Sequence, residues 1–100
     1  MSAAPVAGPF HDLKSWPDHF SEVWKGDKTH EVRRADRDYK VGDVVRLREF
    51  LPGRAVYTGR WVRGIITAIT LPGPVGDNVR LPEGIVVFSF AEHARGGDDL

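Results

Sequence analysis

The stretch Lys28-Thr29-His30-Glu31-Val32-Arg33-Arg34-Ala35-Asp36-Arg37-Asp38 carries the pattern on which the reading of the chain turns. Successive side chains of a strand point to opposite faces. A strand over 29–34 therefore sets Thr29, Glu31 and Arg33 on one face and His30, Val32 and Arg34 on the other. Asp36-Arg37-Asp38 then reads as a polar loop. Lys28, Glu31, Arg33, Arg34 and Arg37 bring four cations and one acid within ten residues. The ordinary meaning of such a run is a solvated strand face with weak cross-strand ion pairs. Two details point further. One strand aims Thr29, Glu31 and Arg33 together, as into a groove. Farther on, Glu49 is in phase with Val45 and Leu47, so a carboxylate shares an apolar face. A buried charge is costly without a partner, and Arg33 or Lys28 is the natural cation for it.

Toward the N-terminus the pattern changes to a helix over Pro17 to Lys25. Proline suits the first helical position, Asp18 complements the helix dipole, and Gly26 supplies a left-handed cap. Phe20, Val23 and Trp24 form one apolar stripe, extended by Trp16. Phe10 to Lys14 reads as a first edge strand. Toward the C-terminus, Val41-Gly42-Asp43 is a turn into a strand over 44–50, and Leu51-Pro52-Gly53-Arg54 is another turn. Arg60 to Leu71, rich in β-branched residues, predicts a long strand bent near Gly64. Pro72 to Gly84 reads as a loop with three prolines and three glycines. Ile85 to Phe90 predicts a central strand buried on both faces. The sum is a mainly β fold with one or two short helices, a small barrel or a rolled sheet.

The 100 residues make one domain, expected over 10–91, between a flexible leader at 1–9 and a flexible tail at 92–100. Without cysteine there is no disulfide framework, no thiolate nucleophile and no Cys-based zinc site. No apolar run approaches the roughly 20 residues of a membrane span, and the start lacks the basic region of a secretory signal. A cytoplasmic protein without a membrane partner is the expectation. Fourteen basic side chains balance fourteen acidic ones, which argues against wholesale binding of duplex DNA. The balance is uneven, with eight basic against five acidic residues from Lys25 to Arg48. His11, His19, His30 and His93 lack metal-ligand spacing, with His19 read as a solvated helix residue and His93 as part of the tail. No glycine-rich phosphate loop or serine elbow is present. No metal or other cofactor is expected.

Several blocks carry a family resemblance. Gly26-Asp27-Lys28-Thr29-His30-Glu31-Val32-Arg33 resembles the G-x-K-x-x-E-x-R signature of ASCH domains, which are PUA-like small β-barrels. The DUF3850 branch is closer still. It is echoed by His11-Asp12-Leu13-Lys14, Asp36-Arg37-Asp38-Tyr39, Val41-Gly42-Asp43, Leu47-Arg48-Glu49-Phe50 and Tyr57-Thr58-Gly59-Arg60. The blocks run in order from about Phe10 to Phe90. The resemblance implies a PUA-like (ASCH) barrel that binds RNA, single-stranded nucleic acid or a modified nucleoside beside the Lys-x-x-Glu-x-Arg strand, with a monomer as the expected state.

The implied ligand-binding set is Lys28, Glu31, Arg33, Arg34, Arg37 and Glu49, with His11 and Lys14 from the first block. Arg33, Arg34 and Arg37 would meet phosphate, Lys28 and Glu31 a base or ribose edge, and Trp61, Tyr39 or Tyr57 would stack; Trp24 reads as core. The alternative implied by some small ASCH proteins is an amidohydrolase acting on N4-acylated cytidine, with Lys28, Thr29 and Glu31 catalytic. Their catalytic threonine position falls on Glu31 here, and Thr29 lies two residues earlier on the same strand face. A third possibility is a protein-interaction module whose ion pairs only fix the barrel.

Overall fold

The computed structural model describes residues 9–97. Its elements follow in the order β1 (Phe10–Ser15), α1 (Pro17–Trp24), β2 (His30–Arg34), β3 (Val44–Leu51), β4 (Val56–Thr70), β5 (Gly73–Gly76), β6 (Val79–Leu81) and β7 (Ile85–Gly96). The first helical residue is Pro17, Asp18 lies in the first turn, and Gly26 takes φ +85° just past the end. These are the positions at which proline, an acid and glycine cost least.

Five strands form one sheet in the order β1-β3-β4-β7-β2. β1 runs parallel to β3, and the other neighbours are antiparallel. Alternation decides which face is buried. Leu13 on β1, Val45 and Leu47 on β3, Val62 and Ile66 on β4, and Val86, Phe88 and Phe90 on β7 all point into one core. Phe20 and Val23 of α1 close it. Eight residues are too few for a helix to stand alone, so these two side chains fix α1 by packing.

β4 is interrupted where it was expected to bend, with a register shift between Arg63 and Gly64 and a second between Ile66 and Ala68. A Cβ at position 64 would come within 2.6 Å of the Ala91 carbonyl oxygen, so this close approach requires glycine.

Several expectations are corrected. The sheet is mainly β with one helix, as read, but it is a curled half-barrel rather than a closed barrel. Barrel closure needs the edge strands within hydrogen-bonding distance, about 4.8 Å. The edges β1 and β2 are not paired with each other, and side chains from both line the gap between them. The 72–84 segment is not a plain loop. Its β5–β6 hairpin turns at Asp77-Asn78, where Asn78 takes φ +60°, a conformation asparagine tolerates well. β7 lies between β4 and β2 as a central strand, but residues 85–90 alternate half-buried with buried and are not covered on both faces. Residues 92–96 continue β7 instead of forming a flexible tail, because β4 is long enough to pair with them, as in Val62↔Arg95 and Trp61↔Gly96. The expected leader at 1–8 and the last residues, 98–100, lie outside the described residues.

Candidate functional site in the open seam

The curl of the sheet brings the ends of its order, β1 and β2, to the two sides of one seam. Two cavities lie there and share Arg33. The first, of about 340 Å³, is lined by Lys14, Ser15, Trp16, His19, Lys28, Glu31, Val32 and Arg33. The second, of about 280 Å³, is lined by Leu13, Arg33, Arg34, Asp36, Arg37 and Tyr39. The strand phase read from the sequence explains the placement of Glu31 and Arg33, while Val32 and Arg34, in the other phase, line the cavities as exposed residues. Glu31 is buried and Arg33 half-buried, while Val32 is 57% exposed, so β2 turns its charged face inward and its valine outward.

Glu31 is only half satisfied. Its Oε1 accepts from Arg33 Nε at 3.0 Å and from Arg33 Nη2 at 2.8 Å. Its Oε2 is buried without a partner. Across the cavity the hydroxyl of Ser15 is equally buried and equally without a partner. These are the only two such side-chain atoms among the described residues, and their residues line the same cavity. An unmet buried polar group costs about 1–3 kcal/mol, so two at one place are informative. Serine commonly caps a helix, but here Trp16 is the N-cap residue and no side chain caps α1. Lys28 is half-buried, and among the described residues no carboxylate pairs with it. The cavity therefore combines an uncommitted carboxylate oxygen, a free hydroxyl and an ammonium.

The second cavity is a guanidinium cluster. Arg34 makes no ion pair among the described residues, and Arg37 meets Asp36 only at 3.7 Å. Tyr39 forms the wall, packed on His11 at 4.7 Å and Phe88 at 5.1 Å between centroids. Burial pushes its hydroxyl pKa up, against the pull of Arg37 and Arg33.

Other members of the expected set lie elsewhere. Glu49 is buried, as its phase with Val45 and Leu47 required, but its cation is Arg60 and not Arg33 or Lys28. It accepts from Arg60 Nε at 2.9 Å, Arg60 Nη2 at 3.0 Å and Thr58 Oγ1 at 2.8 Å. Burial pushes its carboxyl up, but these bonds and the Arg60 charge outweigh that, and its pKa lies below the ordinary value. It lines neither cavity. His11 is also structural, with Nε2 2.7 Å from Asp43 Oδ2, which in turn accepts from the Lys40 amide. Thr29 precedes β2 and is not among the lining residues; its carbonyl accepts from the Phe90 amide. Lys14 lines the first cavity, while its ammonium lies 4.5 Å from the centroid of Phe50.

The sequence reading missed Ser15 and Trp16 and dismissed His19. Trp16 is expected to extend the apolar stripe of α1, yet its backbone is extended (φ −70°, ψ 151°) and the residue is 58% exposed beside the cavity. The position before a proline disfavours helical backbone, and that was the available signal. His19 is exposed, as expected, and also lines the cavity. His93 is not in a tail but on β7, where its Nε2 accepts from Arg63 Nε at 3.1 Å. Tyr57 and Trp61, proposed as stacking partners, lie on the opposite face of the sheet. No cluster of three or more metal-ligating side chains occurs among the described residues. No helix among them is long and apolar enough to cross a membrane.

The chain is similar to known proteins. The chain is 40% identical over 60 residues to a protein of Escherichia phage P2 named "Uncharacterized 12.9 kDa protein in GpA 3'region". The aligned part is 60% of this chain and 53% of that protein, so the match spans about half the length of the relative. The family described as "Domain of unknown function (DUF3850)" matches residues 10–90, from the first residue of β1 to the middle of β7 and including every residue that lines the seam. On that match, the chain belongs to the DUF3850 family.

Proposed function

We propose that the seam binds a nucleotide, free or as a unit of single-stranded RNA, in the manner of a PUA-like (ASCH) domain. The observation that carries this reading is the buried, unpartnered Oε2 of Glu31. A carboxylate oxygen only accepts, so a ligand that satisfies it must present an N–H or O–H. The exocyclic amine of cytosine or adenine does so, and the Ser15 hydroxyl can bond the same heterocyclic edge. The exposed indole of Trp16 offers a stacking plane, worth on the order of 1–3 kcal/mol per base. Arg33, Arg34 and Arg37 supply guanidinium groups for the phosphate in the adjoining cavity.

Calorimetric titration of CMP, AMP and short single-stranded RNAs at low salt tests this. Saturable binding is expected, weakened at least tenfold both by Glu31→Gln and by Arg34→Ala combined with Arg37→Ala. Absence of saturable binding, or affinity unchanged in both variants, overturns it.

One observation favours a second reading, a small amidohydrolase of N4-acylated cytidine. A hydroxyl, an amine and a carboxylate from Ser15, Lys28 and Glu31 line one cavity, with Ser15 in the place expected for Thr29. Water would add across the amide, giving the free amine and a carboxylic acid. Release of cytidine from N4-acetylcytidine is the assay. Its absence, or its persistence in Lys28→Ala, removes this reading.

A further inference from the structure

The outer face of the sheet, turned away from α1, carries a charge pattern of which only Lys14 also lines the seam. The strand register lays Asp12, Arg46 and Arg63 side by side across β1, β3 and β4. The next row is Lys14, Arg48 and Trp61, and beyond it Phe50 faces Tyr57. Arg46 is thus directly opposite Arg63, and Lys14 directly opposite Arg48. Like charges in such positions destabilise a sheet. Among the outward residues of these three strands Asp12 is the one carboxylate, and it is already committed, accepting from Arg46 Nε at 3.0 Å and Nη2 at 2.9 Å and from Arg48 Nη1 at 3.4 Å. Four cations against one acid is a local feature in a chain whose formal charge is zero.

Aromatic rings are interleaved with these cations. Phe10 is 52% exposed and Tyr57 39%, with Phe50 and Trp61 half-buried. Each ring has a cation against it: Arg46 on Phe10 at 5.6 Å, Lys14 on Phe50 at 4.5 Å, Arg48 on Tyr57 at 3.7 Å and Arg63 on Trp61 at 5.6 Å. Cation–π contact alone accounts for neither the exposure of the rings nor the two opposed like-charge pairs. A polyanion with exposed planar faces answers both, because phosphates neutralise the guanidinium groups while bases stack on rings and guanidinium planes. A duplex hides its base faces, and an acidic peptide offers charge without planes. We infer that the outer face of β1, β3 and β4 is a docking platform for single-stranded nucleic acid, separate from the seam.

Fluorescence anisotropy of a fluorescein-labelled 12-nucleotide oligo(U) tests the platform. Arg48→Gln combined with Arg63→Gln leaves Asp12 its bidentate partner Arg46 and removes both like-charge oppositions. The melting temperature is expected to stay or rise, while affinity falls at least tenfold. The slope of log affinity against log salt should shrink by about 1.4, at about 0.7 per lost single-strand phosphate contact. Tyr57→Leu should weaken binding about fivefold, and the arginine double variant should leave the affinity of the seam for CMP unchanged, since neither arginine lines it. Should the double variant fail to fold, Arg63→Gln alone should still weaken binding several-fold. Lack of saturable binding, undiminished affinity in the arginine variants, or equal competition by a 12-base-pair RNA duplex or by poly-glutamate would overturn the proposal. So would an equal loss of CMP affinity in the arginine double variant, since the two surfaces would then be one.

Discussion

Glu31 and Glu49 are the same residue type, each 4% exposed and each on the inward face of a strand, yet their surroundings differ. Glu49 has both oxygens engaged, by Arg60 and Thr58. Arg60 is itself held 5.4 Å from the Phe20 ring centroid and 4.9 Å from that of Trp24. Glu31 has one oxygen held by Arg33 on the same strand and the other open to a cavity. A fold that buries a carboxylate only to hold itself together has reason to complete its hydrogen bonds, because a half-satisfied polar network is worse than an apolar one. Glu49 fits that description. Glu31 does not, and the difference separates scaffold from candidate site.

The strongest way to break the comparison is to strip each carboxylate of its support. Arg60→Met leaves Glu49 charged, buried and without its cation, and should cost about 3 kcal/mol of stability by urea denaturation. A cost below about 1 kcal/mol would show that Glu49 is not held as a scaffold. Glu31→Gln should change stability by less than about 1 kcal/mol while lowering nucleotide affinity at least tenfold, about 1.4 kcal/mol. A stability loss as large as that of Arg60→Met, with no change in binding, would make the two glutamates alike.

Ser15→Ala removes a hydroxyl that has no partner to lose. It should raise stability by up to about 1 kcal/mol and weaken nucleotide binding at the same time. A loss of stability would mean that the hydroxyl is satisfied in the folded protein. Smallest is the acid limb. The folded-state pKa of Glu49 is below its ordinary 4.5, so its stabilisation is fully present above that pH and is lost as pH falls through the lower folded value. Asp12, held down first by its hydrogen bond from Arg46, acts in the same direction below 3.8. Melting curves of Glu49→Gln should therefore show a shallower decline below pH 4.5 than the parent; an identical decline would place the effect elsewhere.

Much of this was legible in the residues. Alternation in Glu31-Val32-Arg33 set Glu31 and Arg33 on one side, and alternation in Val45-Leu47-Glu49 put Glu49 on an apolar face, because a period of two fixes the face without knowledge of the partner strand. The limits of α1 followed from Pro17, Asp18 and Gly26. The resemblance placed the chain in its family and pointed to Lys28, Glu31 and Arg33. His11 entered the expected set through the same blocks, which cannot separate a ligand contact from a residue that holds a turn through Asp43. Residues 92–96 escaped notice because a polar segment becomes a strand when a long neighbour such as β4 offers it a ladder.

What the sequence determined by itself is which side chains share a face, where the helix begins and ends, and that a charged strand turns Glu31 and Arg33 the same way. These are local properties of backbone geometry. Only the tertiary structure decided that Arg60 and not Arg33 answers Glu49, that β1 and β2 face each other without pairing, and that Ser15 and Trp16 join Lys28 and Glu31 across that gap. Those outcomes depend on strand order and on the curl of the sheet, which bring together residues far apart in the chain whose mutual distances no local pattern encodes.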